Sequence, residues 1–124
     1  MTLELLPMAF TVCQLQNISG VDFSAPFTFF AQTDEEISLV CPTEKCPLDA
    51  LNRQDGWRCL RVLGPLDFSL VGILSKIAGC LAEVKVPIFA VSTYNTDYIL
   101  FRETHLKTAL NALENAGYEI AEQR

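Results

Sequence analysis

Residues 64–97 read GPLDFSLVGILSKIAGCLAEVKVPIFAVSTYNTD, a glycine turn followed by a helix pattern and a strand pattern with a polar end. Asp67 is a good N-cap for the helix. Apolar side chains then follow at helical spacing, at Leu70, Leu74, Ile77 and Leu81. Pro87 limits the next strand to residues 88–93, and a return strand is predicted over residues 97–102. The small polar residues between these strands favour the binding of a small zwitterion over catalysis of its reaction.

An α-amino acid presents a carboxylate and an ammonium on one carbon. Backbone N–H groups at a helix start favour the carboxylate, and Gly72 lets the backbone approach a ligand closely. Asp97 is the natural partner for the ammonium, assisted by oxygens of Thr93 or Asn95. Each of these side chains also has an ordinary structural explanation as a turn or packing residue. Asp97 has the least obvious one, so it is the strongest single candidate.

The remaining chain is rich in strand patterns. Strands are predicted within residues 1–15, in a hairpin over 27–41 whose turn is TDEE (33–36), and over 57–63. A short helix is predicted within 43–55, and Pro47 limits it to the second part of that segment. Thr104 is predicted to cap a second helix over 104–116, and Gly117 follows where a left-handed residue is expected. A short strand over 118–121 closes the chain.

A weak internal repeat underlies this order. Thr33 matches Thr93 sixty positions on, and the Gly-aromatic pair at Gly56 matches the pair at Gly117 sixty-one positions on. Both halves read as hairpin, helix, glycine and aromatic-led strand. We therefore predict an α+β protein with a ferredoxin-like βαββαβ sandwich and a tandem duplication. Residues 1–60 form the degenerate first copy, residues 61–124 form the second, and strand 57–63 is shared or belongs to either.

Composition limits the function classes. The 124 residues are 50% hydrophobic and 19% charged, which supports a real core and also hints at a buried partner surface such as a homodimer. The net charge of −6 and only nine scattered Lys and Arg residues argue against nucleic-acid binding. The most apolar segment, 66–82, is interrupted by Asp67 and Lys76, so no membrane span is predicted. Without a secretory signal, the chain is expected to be cytoplasmic.

Metal and thiol chemistry have little support in the sequence. The five cysteines form no CxxC pair, and His105 is the single histidine, so no metal site and no cofactor are predicted. Small buried hydrophobes in a reducing compartment explain the cysteines best. A thiol enzyme using Cys41 or Cys46 is the least favoured alternative, because no orienting group is evident beside His105.

The quoted helix start, GPLDFSLVGIL (64–74), and the strand ends VSTYNTDYIL (91–100) resemble ACT domains. The pattern is most similar to the small tandem ACT proteins related to the regulatory tail of aspartate kinases and to the cytosolic arginine sensor CASTOR. The match covers about half of the chain, from Trp57 onward. The resemblance implies a non-catalytic module that binds an amino acid or similar effector, between two ACT units of one chain or across a dimer.

Carried onto this chain, the resemblance implies a ligand site made of the helix start and the strand end opposite. The implied residues are Asp67, Phe68, Ser69, Leu70, Val71, Gly72, Thr93, Asn95, Thr96 and Asp97. Ile37 stands in the first half where Asp97 stands in the second, so the first half is expected to supply only a wall of the site. With no catalytic or DNA-binding domain attached, the output of such a sensor is expected to pass through a separate protein target.

Two function hypotheses follow. The first is a regulatory or sensor protein that binds a small effector and forms a homodimer. The second is a protein-interaction or dimerisation module that has the ACT fold and no ligand. Stabilisation against thermal unfolding by a specific metabolite would discriminate them.

Overall fold

A computed structural model describes residues 1–63 and 71–122. The chain divides into two compact units, which we call the helical unit, Met1–Pro7 with Arg58–Arg124, and the strand unit, Met8–Trp57. Met1–Pro7 therefore lies with the second half of the chain. The predicted division at residue 60 and the duplication remain predictions.

The described residues contain eight strands, two α-helices and two 3₁₀ turns. The strands are β1 Thr2–Leu5, β2 Phe10–Leu15, β3 Phe29–Gln32, β4 Ile37–Pro42, β5 Asn52–Val62, β6 Phe89–Ser92, β7 Asp97–Arg102 and β8 Glu119–Glu122. The helices are α1 Ile73–Glu83 and α2 Leu106–Asn115, and the 3₁₀ turns are Thr43–Lys45 and Glu103–His105. Neither helix of the described residues has the length and apolar character needed to cross a membrane.

The helical unit contains a mixed sheet with β1 near its centre. β1 pairs antiparallel with the end of β5, where Leu3 faces Val62, and parallel with β8. β7 pairs with both β5 and β6, and β6 and β7 form an antiparallel hairpin in which Ser92 faces Asp97. This arrangement confirms the predicted ferredoxin-like α+β fold.

Both helices pack on one face of this sheet, because their apolar stripes share a core with alternate strand residues. Ile77 and Leu81 of α1 and Ala109 and Leu113 of α2 are fully buried. They join a cluster with Leu3, Leu5, Leu60, Val62, Val86, Ile99 and Phe101. The apolar spacing predicted for the first helix is confirmed at Ile77 and Leu81.

The strand unit, all of whose residues are described, has one 3₁₀ turn and no α-helix. Its sheet runs β3, β4, β2 and the first part of β5, with antiparallel pairing throughout. One core cluster of this unit contains Cys13, Leu15, Leu39, Cys41 and Cys46. The predicted hairpin over residues 27–41 is confirmed by β3 and β4.

Three helix-boundary predictions are wrong. No helix forms between Pro47 and β5, because the N–H of Ala50 closes a turn on the carbonyl of Pro47 at 3.3 Å, the N–H of Leu51 donates to the carbonyl of Gln14 at 2.9 Å, and β5 begins at Asn52. Thr104 does not cap α2, because it lies inside a 3₁₀ turn and His105 is the N-cap residue. The N-cap of α1 is Gly72 rather than Asp67, and Asp67 lies outside the described residues. Gly117 does take the predicted left-handed conformation, with φ 99°.

Candidate functional site

The turn between β6 and β7 is held by a threonine at each end. The backbone N–H of Thr93 donates to the carbonyl of Thr96 at 2.8 Å, and the Thr93 hydroxyl donates to the same carbonyl at 3.1 Å. Thr96 is 7% exposed, and its hydroxyl donates to the carbonyl oxygen of Val62 at 2.5 Å. Because Val62 ends β5, this bond ties the hairpin turn to the point where the chain leaves the sheet toward α1.

Asp97 begins β7 directly opposite Ser92. The Ser92 hydroxyl donates to Oδ1 of Asp97 at 2.5 Å, and Asp97 is half-buried. Among the described residues, no donor contacts the other carboxylate oxygen, Oδ2. Asp97 therefore has a structural contact that the sequence did not indicate.

The start of α1 lies at Gly72, whose φ of 78° is in the left-handed region that favours glycine. Its carbonyl accepts the first helical bond, from the N–H of Lys76 at 2.9 Å, and within 1–63 and 71–122 no side chain makes a cap hydrogen bond to the helix. The preceding Val71 is 87% exposed.

The structure thus brings together some of the predicted site residues and not others. Thr93, Thr96 and Asp97 share one hairpin, and Asn95 is exposed within its turn. Val71 and Gly72 lie at the helix start. Four further predicted residues, Asp67, Phe68, Ser69 and Leu70, lie outside the described residues.

Sequence reasoning missed a polar cluster on the sheet of the helical unit. Arg61 donates from Nε and Nη2 to Oε1 of Glu4 at 3.0 and 2.6 Å, across the β1–β5 pair in which the two residues face each other. These bonds to Glu4, with a further contribution from Tyr98, raise the pKa of Arg61. Opposite charges at facing positions are a recognisable signal, but only once the strand register is known.

The thiols do not support the thiol-enzyme alternative. Burial raises the pKa of Cys41 to about 11 and that of Cys59 to about 12, and burial together with the neighbouring Cys46 raises that of Cys13 to about 12. A nucleophilic cysteine needs the opposite shift, since the thiolate is the reactive form. All five cysteines are free, and no group of three His, Cys, Asp or Glu residues in the described part of the chain is placed to hold a metal ion.

The fold places the chain in the class of ferredoxin-like α+β domains. Residues 52–115 match the profile of the ACT domain family, and this match covers more than half of the chain. The chain belongs to the ACT domain family.

Curated relatives agree with this assignment. The protein is 36% identical over 98 residues to rat "Cytosolic arginine sensor for mTORC1 subunit 1", an alignment that covers 73% of this chain and 30% of the relative. The human protein of the same name is 33% identical with the same coverage. The chain therefore spans about a third of the length of these relatives.

Solved structures share the fold. A protein from Agrobacterium tumefaciens superposes with a TM-score of 0.88 at 28% identity, covering 99% of this chain and 93% of that chain. The aspartate kinase of Clostridium acetobutylicum superposes with a TM-score of 0.64 at 17% identity, covering 87% of this chain and 32% of the kinase. At that identity, the likeness to the kinase concerns the fold alone.

Proposed function

We propose that this chain is a non-catalytic regulatory or sensor protein that binds an amino acid or a related small metabolite. Membership of the ACT domain family supports this proposal, as does the name of the curated relatives, which describes an arginine sensor. The effector of this chain need not be arginine, because fold and family do not fix the ligand.

The observation that carries the proposal is the bond from the Thr96 hydroxyl to the Val62 carbonyl. It fixes the polar hairpin turn beside the end of β5, from which the chain runs to the start of α1. In the proposed site, the effector's ammonium donates to Oδ2 of Asp97, and the side-chain oxygens of Thr93 and Asn95 are neighbouring acceptors. Its carboxylate binds backbone N–H groups at the start of α1 near Gly72, and Ser69 is proposed as a further ligand.

The remaining predicted residues complete the proposed site. Asp67 would position the segment before the helix, and Phe68, Leu70 and Val71 would contact the apolar part of the effector. The high exposure of Val71, 87%, is consistent with such a contact, since a large apolar side chain in water gains by being covered.

Thermal melts with each proteinogenic amino acid and related metabolites test the proposal. A ligand present at a hundred times its dissociation constant adds about 2.7 kcal/mol of stability, which raises the melting temperature by several degrees. We expect at least one α-amino acid to produce such a shift. If none does so at millimolar concentration, the alternative of an interaction module without a ligand is favoured.

Two variants separate binding from folding. Asp97→Asn removes the charge that would pair with the ammonium and should abolish the ligand-induced shift. Ser92→Ala is the matched control, because it removes the bond to Oδ1 of Asp97 and leaves the carboxylate in place. An equal loss of the shift in both variants would make the hairpin structure, rather than the carboxylate, the requirement.

We also propose a cytoplasmic location, a homodimer and a separate protein target. The word "cytosolic" in the name of the relatives and the five free cysteines support the location. Light scattering after size-exclusion chromatography, with and without the stabilising amino acid, would determine the oligomeric state directly.

A further inference from the structure

The strand unit contains a pocket that lies away from its hairpin turn. Its lining consists of Met8, Ala25, Pro26, Phe27, Pro42, Glu44 and Lys45, and its volume is about 160 Å³. Pro42 pairs with Phe10 at the end of the β2–β4 ladder, whereas the turn at Thr33 follows the other end, where Leu15 faces Ile37. The pocket is therefore separate from the hairpin position that corresponds to the site proposed above.

The walls of this pocket are apolar and stiff. Two of them are proline rings, Pro26 and Pro42, which have little freedom to lose when a ligand binds. The ring of Phe27 packs edge-to-face against Phe10, with centroids 6.3 Å apart. A volume near 160 Å³ accommodates one aromatic ring or one branched aliphatic group, since cavities of about 150 Å³ bind benzene.

The backbone at Phe27 is strained in a way that shapes the pocket. Its φ is 62°, a conformation that bulky residues seldom adopt. Such strain persists where surrounding structure imposes it and is concentrated at binding and functional sites. In this conformation, Phe27 contributes its aromatic side chain to the lining of the pocket.

The charges at the rim favour a cation. Lys45 is already balanced by Asp22, whose Oδ2 lies 3.6 Å from Nζ. Hydrogen bonds from Ser24 and the charge of Lys45 lower the pKa of Asp22, so this carboxylate stays ionised at neutral pH. Glu44 has no hydrogen-bond or ion-pair partner among the described residues. The rim therefore carries one uncompensated negative charge.

We propose that this pocket binds a small organic cation, an ammonium group attached to a single aromatic ring or branched aliphatic group. The apolar group fills the space between Pro26, Phe27 and Pro42, and the ammonium pairs with Glu44. The proposal is independent of the amino-acid site in the helical unit, because no residue is common to the two.

Phenethylamine is a suitable probe, with 2-phenylethanol as the neutral analogue and phenylacetate as the anionic one. We expect phenethylamine to shift the backbone amide resonances of residues 25–27 and 42–45 in a saturable way at millimolar concentration. The neutral analogue should bind several-fold more weakly, and the anion more weakly still. Equal binding of all three probes, or no saturable shift with phenethylamine, would overturn the proposal.

Substitutions in the pocket test whether phenethylamine binds there. Glu44→Gln should weaken phenethylamine binding by about two- to fivefold, the size expected for an exposed charge pair. Glu35→Gln removes an equally exposed carboxylate from the hairpin turn of the same unit and should leave binding unchanged. Ala25→Leu should fill the pocket and abolish binding, with the dispersion of the other resonances reporting that the fold persists. Unchanged affinity in both Glu44→Gln and Ala25→Leu would also contradict the assignment.

Discussion

The hairpins β3–β4 and β6–β7 have the same backbone design with different side chains. β3 begins at Phe29 and β6 at Phe89, and β4 begins at Ile37 and β7 at Asp97, so both strands recur after 60 residues. In each turn the first threonine donates its N–H to the carbonyl three residues later, at 2.9 Å from Thr33 and 2.8 Å from Thr93.

The side chains that follow differ in chemistry. Glu36 is exposed where Thr96 is buried and bonded to Val62, and Ile37 packs on the core of the strand unit where Asp97 faces Ser92. A shared scaffold therefore carries a polar strand end in the helical unit and an apolar one in the strand unit. The two hairpins therefore differ in the side chains at a few matched positions rather than in their backbone hydrogen bonds.

The largest difference in the free energy of unfolding is expected between two core positions that lie sixty residues apart, one in each unit. Phe101 is fully buried in the helical unit, and sixty residues earlier the strand unit has the smaller Cys41. Phe101→Ala should lower the free energy of unfolding by about 3–5 kcal/mol. Cys41→Ala should cost on the order of 1 kcal/mol, because it removes one atom. Urea denaturation followed by circular dichroism measures both, and equal losses would show that the two cores are equivalent.

The next effect concerns the anchored turn. Thr96→Val keeps the size of the side chain and removes the hydroxyl that donates to Val62, so the carbonyl loses a partner. We expect a loss of about 1–3 kcal/mol in the free energy of unfolding. The matched variant Glu36→Gln changes an exposed side chain and should stay within about 0.5 kcal/mol of the parent. A neutral Thr96→Val would mean that the turn is not held by this bond.

Alkaline stability depends on the buried thiol of Cys59. Its pKa is raised from 9.0 to about 12, so the folded state retains a proton that the unfolded chain releases above about pH 9. This contribution to stability is complete below pH 9 and is lost between pH 9 and about 12, with a slope of about 1.4 kcal/mol per pH unit. Denaturant midpoints from pH 8 to 10.5 measure the slope. Cys59→Ala should make it shallower, and an unchanged slope would exclude this thiol as the cause.

The smallest expected change in stability concerns Thr33 and Thr93, which occupy the same position in the two hairpin turns. Thr33→Ala and Thr93→Ala each remove a hydroxyl that closes a turn through a bond of 3.1 Å. Both should cost about 0.5–1.5 kcal/mol, and the two costs should be alike. A clearly larger loss at Thr93 would mean that the turn of the helical unit depends on its threonine in a way that the strand unit does not.

Much of the fold was predictable because short stretches of sequence indicate the hairpins and the helices. Strand-rich segments on either side of a polar turn indicated both hairpins, and the spacing of Ile77 and Leu81 indicated α1. Register and long-range contacts were not predictable. β5 begins at Asn52, five residues before the expected strand start, because Asn52 pairs with Gln14 of β2. The residues around Asn52 do not indicate that it pairs with Gln14, 38 positions earlier.

The candidate site was predictable in part. Polar residues at the end of an apolar strand indicated the hairpin, but not the bond from Thr96 to Val62 or the contact of Asp97 with Ser92. Both contacts depend on which strands become neighbours. No sequence pattern indicates the pocket at Phe27 either, because its wall depends on the backbone conformation of Phe27 rather than on a motif.

The central claim is that the polar hairpin of the helical unit binds an amino acid and that its counterpart in the strand unit does not. Two-dimensional ¹⁵N–¹H NMR, recorded while the protein is titrated with the amino acid that stabilises it most, tests this claim most directly. We expect saturable shifts of the amide resonances of residues 71–72 and 93–97, with those of residues 33–37 unchanged. Shifts centred on 33–37, or no saturable shift with any amino acid, would contradict it.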